Sequence, residues 1–366
     1  MKSIDPLGNS VQTGFDANDN VAAILLPDGN GVTYSYDSRD RRVARTDALG
    51  QEERWAYDAM DRVIRYTDRR NRVTTYAYDA LGRSTTTTFP AMGGTLTASY
   101  DAGNRMVALA DSLSGTLSWT YDSFDQVSAA NSPQGTVNYG YDAAGRRIRM
   151  QAASQAEVLY GYDNADRLTG ITQGTGAVTF AYDNANRLIT QILPNQVQTV
   201  YTYNNANQVT GLAWGKAGQT APGSLGYGYD NTGQLVAQTG THAPQSLPQA
   251  SNGNAFDDNN RQTKANNVDL MTYDANGNLT SDGSRTYLWD DRDRLSLIKQ
   301  GDSIIATFSY DALNRRSKKE ESGVRKNYLY DGLNVVQEDQ DGVYSSILNA
   351  PGVDRRYARD DVNGRV

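Results

Sequence analysis

One dipeptide dominates this chain: an aromatic residue followed by Asp or Asn, returning at a nearly fixed interval. It stands at Phe15, Tyr36, Tyr57, Tyr78, Tyr100, Tyr121, Tyr141, Tyr162, Tyr182 and Tyr203, and again at Tyr229, Phe256, Tyr273, Trp289, Tyr310 and Tyr330. These sixteen copies lie mostly 20 to 22 residues apart. A repeat of this length is one supersecondary unit that buries its apolar face only against neighbouring copies, so the chain is read as a repeat architecture.

The residues after the dipeptide spell a turn. Four positions beyond each aromatic the chain carries only Gly, Asn or Asp, among them Gly82, Asn104, Gly145, Asn186, Gly233 and Gly277. These residue types tolerate positive φ. Asp directly after the aromatic suits the first position of a type I turn, where its carboxylate accepts a backbone N–H two residues on. A type I turn followed by a left-handed residue is the usual three-residue hairpin loop. The frequent Arg that follows (Arg41, Arg62, Arg83, Arg146, Arg167, Arg187) opens the next strand.

The strand that enters each turn has a period of two. Twelve of the sixteen positions two before the aromatic are aromatic as well, and the residue between the pair is small or hydroxylic in fourteen copies. One face of the strand therefore carries paired rings and the other is nearly bare. The expected fold is all-β, built from antiparallel hairpins. About 32 strands in a flat ribbon would run roughly 150 Å, and long open sheets curl. The expectation is a curved spiral, a partial β-shell.

Length alone would suggest two or three domains, but the continuous repeat argues for a single elongated module over residues 1–344. An irregular loop insertion is expected at about 210–255, where the spacing slackens, and a truncated tail of the repeat region at 345–366. A net charge of −7 and a pI near 4.9 argue against nucleic acid or an anionic membrane as the main partner. No apolar run is long enough for a membrane-spanning helix. The first residues, Met1-Lys2-Ser3-Ile4-Asp5-Pro6-Leu7-Gly8, lack the apolar core of a signal peptide. The absence of cysteine excludes disulfides and thiolate metal sites.

The chemistry-bearing residues read as structural. Carboxylates in every turn are loop formers rather than acid/base pairs. Asp16-Ala17-Asn18-Asp19-Asn20 and Asp274-Ala275-Asn276-Gly277-Asn278 echo the start of a calcium loop but lack its later ligands. His242, the single histidine, has no fixed partner for nucleophilic catalysis. No catalytic, cofactor or metal site is expected. Exposed ladders of tyrosine could instead stack on sugars, which makes a glycan-binding adhesion module the competing function. Strict pairing of rings at fixed spacing favours packing between strands.

The recurrent Tyr-Asp-x-x-Gly-Arg unit, as in Tyr78-Asp79-Ala80-Leu81-Gly82-Arg83, resembles the RHS/YD-repeat family over roughly residues 5 to 366. The segments Tyr273–Gly283 and Tyr328–Asn334 are similar to stretches near the C-terminal end of such repeat regions. The resemblance implies a β-spiral that closes into a hollow shell around a C-terminal toxin polypeptide, in bacterial, insecticidal and distantly teneurin-like relatives. It also implies a secreted or cell-surface protein, with secretion-apparatus or shell-partner proteins as further partners. No Asp-Pro-x-Gly core motif of the kind that precedes self-cleavage closes the repeats, so neither autoproteolysis nor a complete shell is expected of this stretch.

Overall fold

The computed structural model describes residues 1–153, 155–216, 219, 222–241, 252–352, 355–361 and 364–365. Among these residues all regular structure is strand, and the paired strands run antiparallel. Each hairpin is built in the same way. Strand Gly31–Tyr36 enters and strand Arg42–Thr46 leaves, with Ser35 opposite Ala44 but Tyr36 opposite Arg42. Two residues of the leaving strand thus oppose one ring residue, a β-bulge that adds local twist. The same register shift falls at all sixteen ring positions, from Phe15 to Tyr330.

The loop is closed twice. Asp37 N–H donates to the Arg41 carbonyl at 3.0 Å and Asp40 N–H to the Asp37 carbonyl at 3.1 Å. Asp40 stands at φ +58°, and Gly82, Asn104, Gly145, Asn186, Gly233 and Gly277 are likewise at positive φ. Fifteen of the sixteen hinge positions share this conformation. Asn334 does not. There Asp331 pairs directly with Asn334 around a two-residue loop whose positive φ is at Gly332, +57°. Glycine at the first loop position lets the chain reverse sooner, and the left-handed residue moves two places forward.

Contacts divide the chain into two compact units. One comprises Met1–Leu117 with Ala250–Val324, the other Ser118–Gln249 with Arg325–Val366. In each unit, residues from late in the chain meet residues from early in it. Part of the region 210–255 is strand. Val209–Lys216, Gly223–Tyr229 and Leu235–Gly240 form a paired run of strands, because alternation survives where the period stretches. Most of the loop that follows, including His242, lies outside the described residues. Val343–Asn349 pairs with Asn334–Gln340 on one side and Arg356–Asp361 on the other, with Ile347 and Leu348 fully buried. The ring-acid signature is lost there while the two-residue alternation continues.

The units are held differently. In the second, Val137, Val158, Ile171 and Val178 from the early strands form one apolar cluster with Leu329, Val336 and Leu348 from the late ones. In the first, four of the buried groups are carboxylates, Asp47, Asp68, Asp111 and Asp311.

Candidate functional site: a lattice of turns

The candidate site is the set of ring-acid turns, and the repeat around Tyr162 shows what each signature residue does. Tyr162 Oη donates to the carbonyl of Arg147, the residue that opens the leaving strand of the repeat before, at 3.0 Å. One Asp163 oxygen accepts the N–H groups of Ala165 and Arg167 at 2.9 and 3.0 Å, and the other accepts Arg167 Nε at 2.7 Å. The Arg167 guanidinium then lies 4.9 Å from the centroid of the next ring, Tyr182. Its Nη1 donates to the Asp183 carbonyl at 3.2 Å and to the Asn186 side chain at 2.9 Å. One arginine therefore joins its own acid, the following ring and the following turn.

The pattern recurs. Tyr36, Tyr57, Tyr78, Tyr100, Tyr141, Tyr182, Tyr203, Tyr229, Tyr273 and Tyr310 donate their hydroxyls to carbonyls in the preceding repeat at 2.7–2.9 Å. Trp289 uses its indole N–H for the same bond, to Leu279. Tyr121 and Tyr330 are half-buried in equivalent positions. Phe15 and Phe256, which have no polar tip, are largely exposed. Arginine caps the next ring at Tyr57, Tyr78, Tyr100, Tyr162, Tyr203, Tyr273 and Tyr310. Partial desolvation strengthens such cation–π contacts.

The electrostatics follow from this geometry. The Arg41 guanidinium beside Asp37, with the N–H groups of Arg39 and Arg41, holds its carboxyl at about 2. Asp58, Asp101 and Asp142 are lowered chiefly by their own arginines, and Asp163 and Asp183 chiefly by the backbone N–H of theirs. Burial raises the Tyr162 and Tyr182 phenols. Among the described residues no group of three His, Asp or Glu side chains is placed to hold a metal ion. No helix is long and apolar enough to cross a membrane, among those residues. As for the stacking of sugars on the tyrosine ladder, eight of the dipeptide rings lie under arginines, and the hydroxyls of those eight donate to backbone carbonyls.

Sequence reasoning missed a second class of turn on the opposite edge of the hairpins. Residues 47–51 and 68–72 repeat the hydrogen bonds of a ring-acid turn without the ring: Asp47 N–H donates to the Gln51 carbonyl and Asp68 N–H to that of Arg72. In the first unit these acids receive the third residue of late ring-acid turns. Asn259 Nδ2 donates to Asp47 at 2.9 Å and Asn276 Nδ2 to Asp68 at 2.8 Å. Arg292 grips Asp111 with two nitrogens at 2.8 and 2.9 Å, donates Nε to the Gly93 carbonyl, and lies 4.1 Å from the Phe89 centroid. Burial would push the Asp111 carboxyl up, yet Arg292, the Leu113 N–H and Ser114 hold it below its ordinary value. In the second unit Asp331 plays the corresponding part, accepting Tyr139 Oη at 3.0 Å and Arg147 Nη1 at 2.7 Å. The available signal was the spacing Asp47-x-x-Gly50 and Asp68-x-x-Asn71, the turn pattern with no aromatic before it.

Comparison with known proteins gives the same family twice. The teneurin YD-shell family model matches residues 92–201 and 178–336, and the RHS repeat model matches residues 15–52, 36–71 and 57–91. A stretch of 88 residues is 44% identical to the tRNA nuclease WapA of Bacillus subtilis (strain 168), covering 23% of this chain and 4% of that protein. The tRNA3(Ser)-specific nuclease WapA of Bacillus spizizenii matches to the same extent. Among solved structures, a chain in the crystal structure of TcdB2-TccC3 superposes with a TM-score of 0.67 at 13% identity, over 98% of this chain and 26% of that one. The TcdB2-TccC3-TEV structure gives 0.51 at 15% identity, over 98% and 23%. At such identities these structures speak to the fold alone, and this chain spans only a small part of its relatives' length. With ring-acid turns in every repeat and a family model matched over well more than half of its length, the chain belongs to the RHS/YD-repeat, teneurin YD-shell family.

Proposed function

We propose that this chain is a non-catalytic segment of the wall of a toxin protein, a wall that encloses or displays a toxin polypeptide carried C-terminal to the repeats in a longer chain. The task is steric: a wall keeps the toxin away from its target, and from proteases, until release. One observation carries this reading. The polar groups of the repeat signature are spent on joining one turn to the next, and the acids of the opposite edge on joining early strands to late ones, as expected of a wall. The WapA relatives, named as tRNA nucleases, support a role alongside an enzyme elsewhere in the chain. Secretion or display at the cell surface, and contact with a secretion apparatus, follow from the same reading.

The test is limited proteolysis of the longer gene product. The segment downstream of the repeats is expected to resist digestion when expressed with them and to be degraded when expressed alone. Equal digestion in both cases would overturn encapsulation.

A further inference from the structure

One face of three paired strands in the second unit is polar where its surroundings are apolar. Register sets Asn327 opposite Asp339 and Asp339 opposite Tyr344; the next row sets Leu329 opposite Gln337. Side chains directly opposite one another share a face. That face and the turn at Pro133 enclose a cavity of about 320 Å³, at the small end of the range for ligand sites. Gln337 is only 2% exposed, yet its Nε2 meets no acceptor among the described residues. A buried amide donor left unpaired loses its hydration without return. Packing alone would favour an aliphatic residue there, like the buried Leu329 beside it and Val336 before it.

We propose that this cavity binds a small neutral polyhydroxylated ligand, a single sugar unit. The Gln337 amide offers two donors. The Asp339 carboxylate, fixed by Asn327 Nδ2 at 3.1 Å and the Gly342 N–H at 2.8 Å, offers acceptors. Vicinal hydroxyls both donate and accept, so one sugar edge answers both groups. The Tyr344 side chain, 54% exposed, and the apolar surfaces of Pro133 and Leu329 suit the C–H face of a ring. Among the described residues no cationic side chain lines the cavity, which disfavours an anion. The single carboxylate already has two donors, which disfavours a cation. This site is separate from the tyrosine ladder and does not depend on encapsulation.

The test is saturation-transfer difference NMR on the whole chain, titrated separately with glucose, galactose and N-acetylglucosamine to millimolar concentrations. At least one sugar is expected to give a saturable signal that weakens roughly tenfold or more in Gln337→Leu and in Tyr344→Ala. Gln337→Leu is expected to unfold at the same urea concentration as the parent or higher. If that variant does not fold, Tyr344→Ala, at the exposed rim, and Asp339→Asn supply the same contrast. No saturable signal with any of the three sugars, or a signal unchanged in the variants, would overturn the proposal. So would binding of triglycine in place of the sugar.

Discussion

Asp37 accepts two backbone N–H groups with one carboxylate oxygen and the Arg41 guanidinium with the other. Only the ionised form accepts all of these bonds, so the turn selects the carboxylate. The sign of the pH effect follows. A carboxyl whose folded value lies below its unfolded one contributes stability that is complete above the unfolded value and is lost as pH falls through the folded one. Asp37 moves from the ordinary 3.8 to about 2, and Asp58, Asp79, Asp101, Asp142, Asp163, Asp183 and Asp257 are lowered as well. The melting temperature, followed by circular dichroism, is therefore expected to stay level from neutral pH to about pH 5 and then to fall steeply between about pH 4 and pH 2. A melting temperature as high at the acid end as at neutrality would show that the turn carboxylates do not stabilise the fold. These residues were legible in the sequence because a requirement for positive φ and an accepting side chain admits few residue types, and sixteen copies repeat the choice. Asn334 shows the limit of that reading: a glycine two places earlier offers the backbone another way to turn.

At the scale of the hairpin, ring-acid turns bond to the turns that neighbour them in sequence, whereas the opposite-edge turns bond to late ring-acid turns 181 to 212 residues away. Only the first relation was readable. Asn259, Asn276 and Arg292 sit at the third position of their turns, which tolerates Ala, Leu, Met or Phe elsewhere; nothing local marks them as partners of Asp47, Asp68 and Asp111. The contrast between exposed and buried pairs gives a prediction. Arg39 and Asp61 form an ion pair with both side chains 50% exposed, and Arg39→Ala is expected to cost about 0–1 kcal/mol. Arg292 and Asp111 are 2% and 0% exposed, so Arg292→Ala leaves a buried carboxylate without its cation and is expected to cost about 3–5 kcal/mol. Urea unfolding of the two variants checks the ratio. Similar midpoints for both would mean that the Asp111 carboxylate finds water or another donor when its arginine is removed.

For the molecule as a whole, what the sequence left unread is that the strip returns to pack on itself within each unit. Periodicity describes neighbours along the chain, and the strands that close each unit have either shortened spacing, as from Phe256 to Trp289, or no ring-acid signature, as after Val336. The second unit makes this dependence testable. Val137, Val158, Ile171 and Val178 are buried against Leu329, Val336, Leu348, Ala350 and Ala358, and a buried aliphatic side chain contributes about 1.5–3 kcal/mol. Exposing several together removes an amount comparable to the total stability of a domain, about 5–15 kcal/mol. A chain ending at Val324 keeps every residue of the first unit and loses the late strands of the second. Hydrogen exchange on that shortened chain is expected to find the amides of residues 137–178 unprotected while those of strands such as Val63–Thr67 and Val73–Tyr78 keep their protection. Equal protection in the two regions would mean that lateral bonding between successive turns suffices to hold a single layer of hairpins, and that the late strands cover a sheet already stable without them.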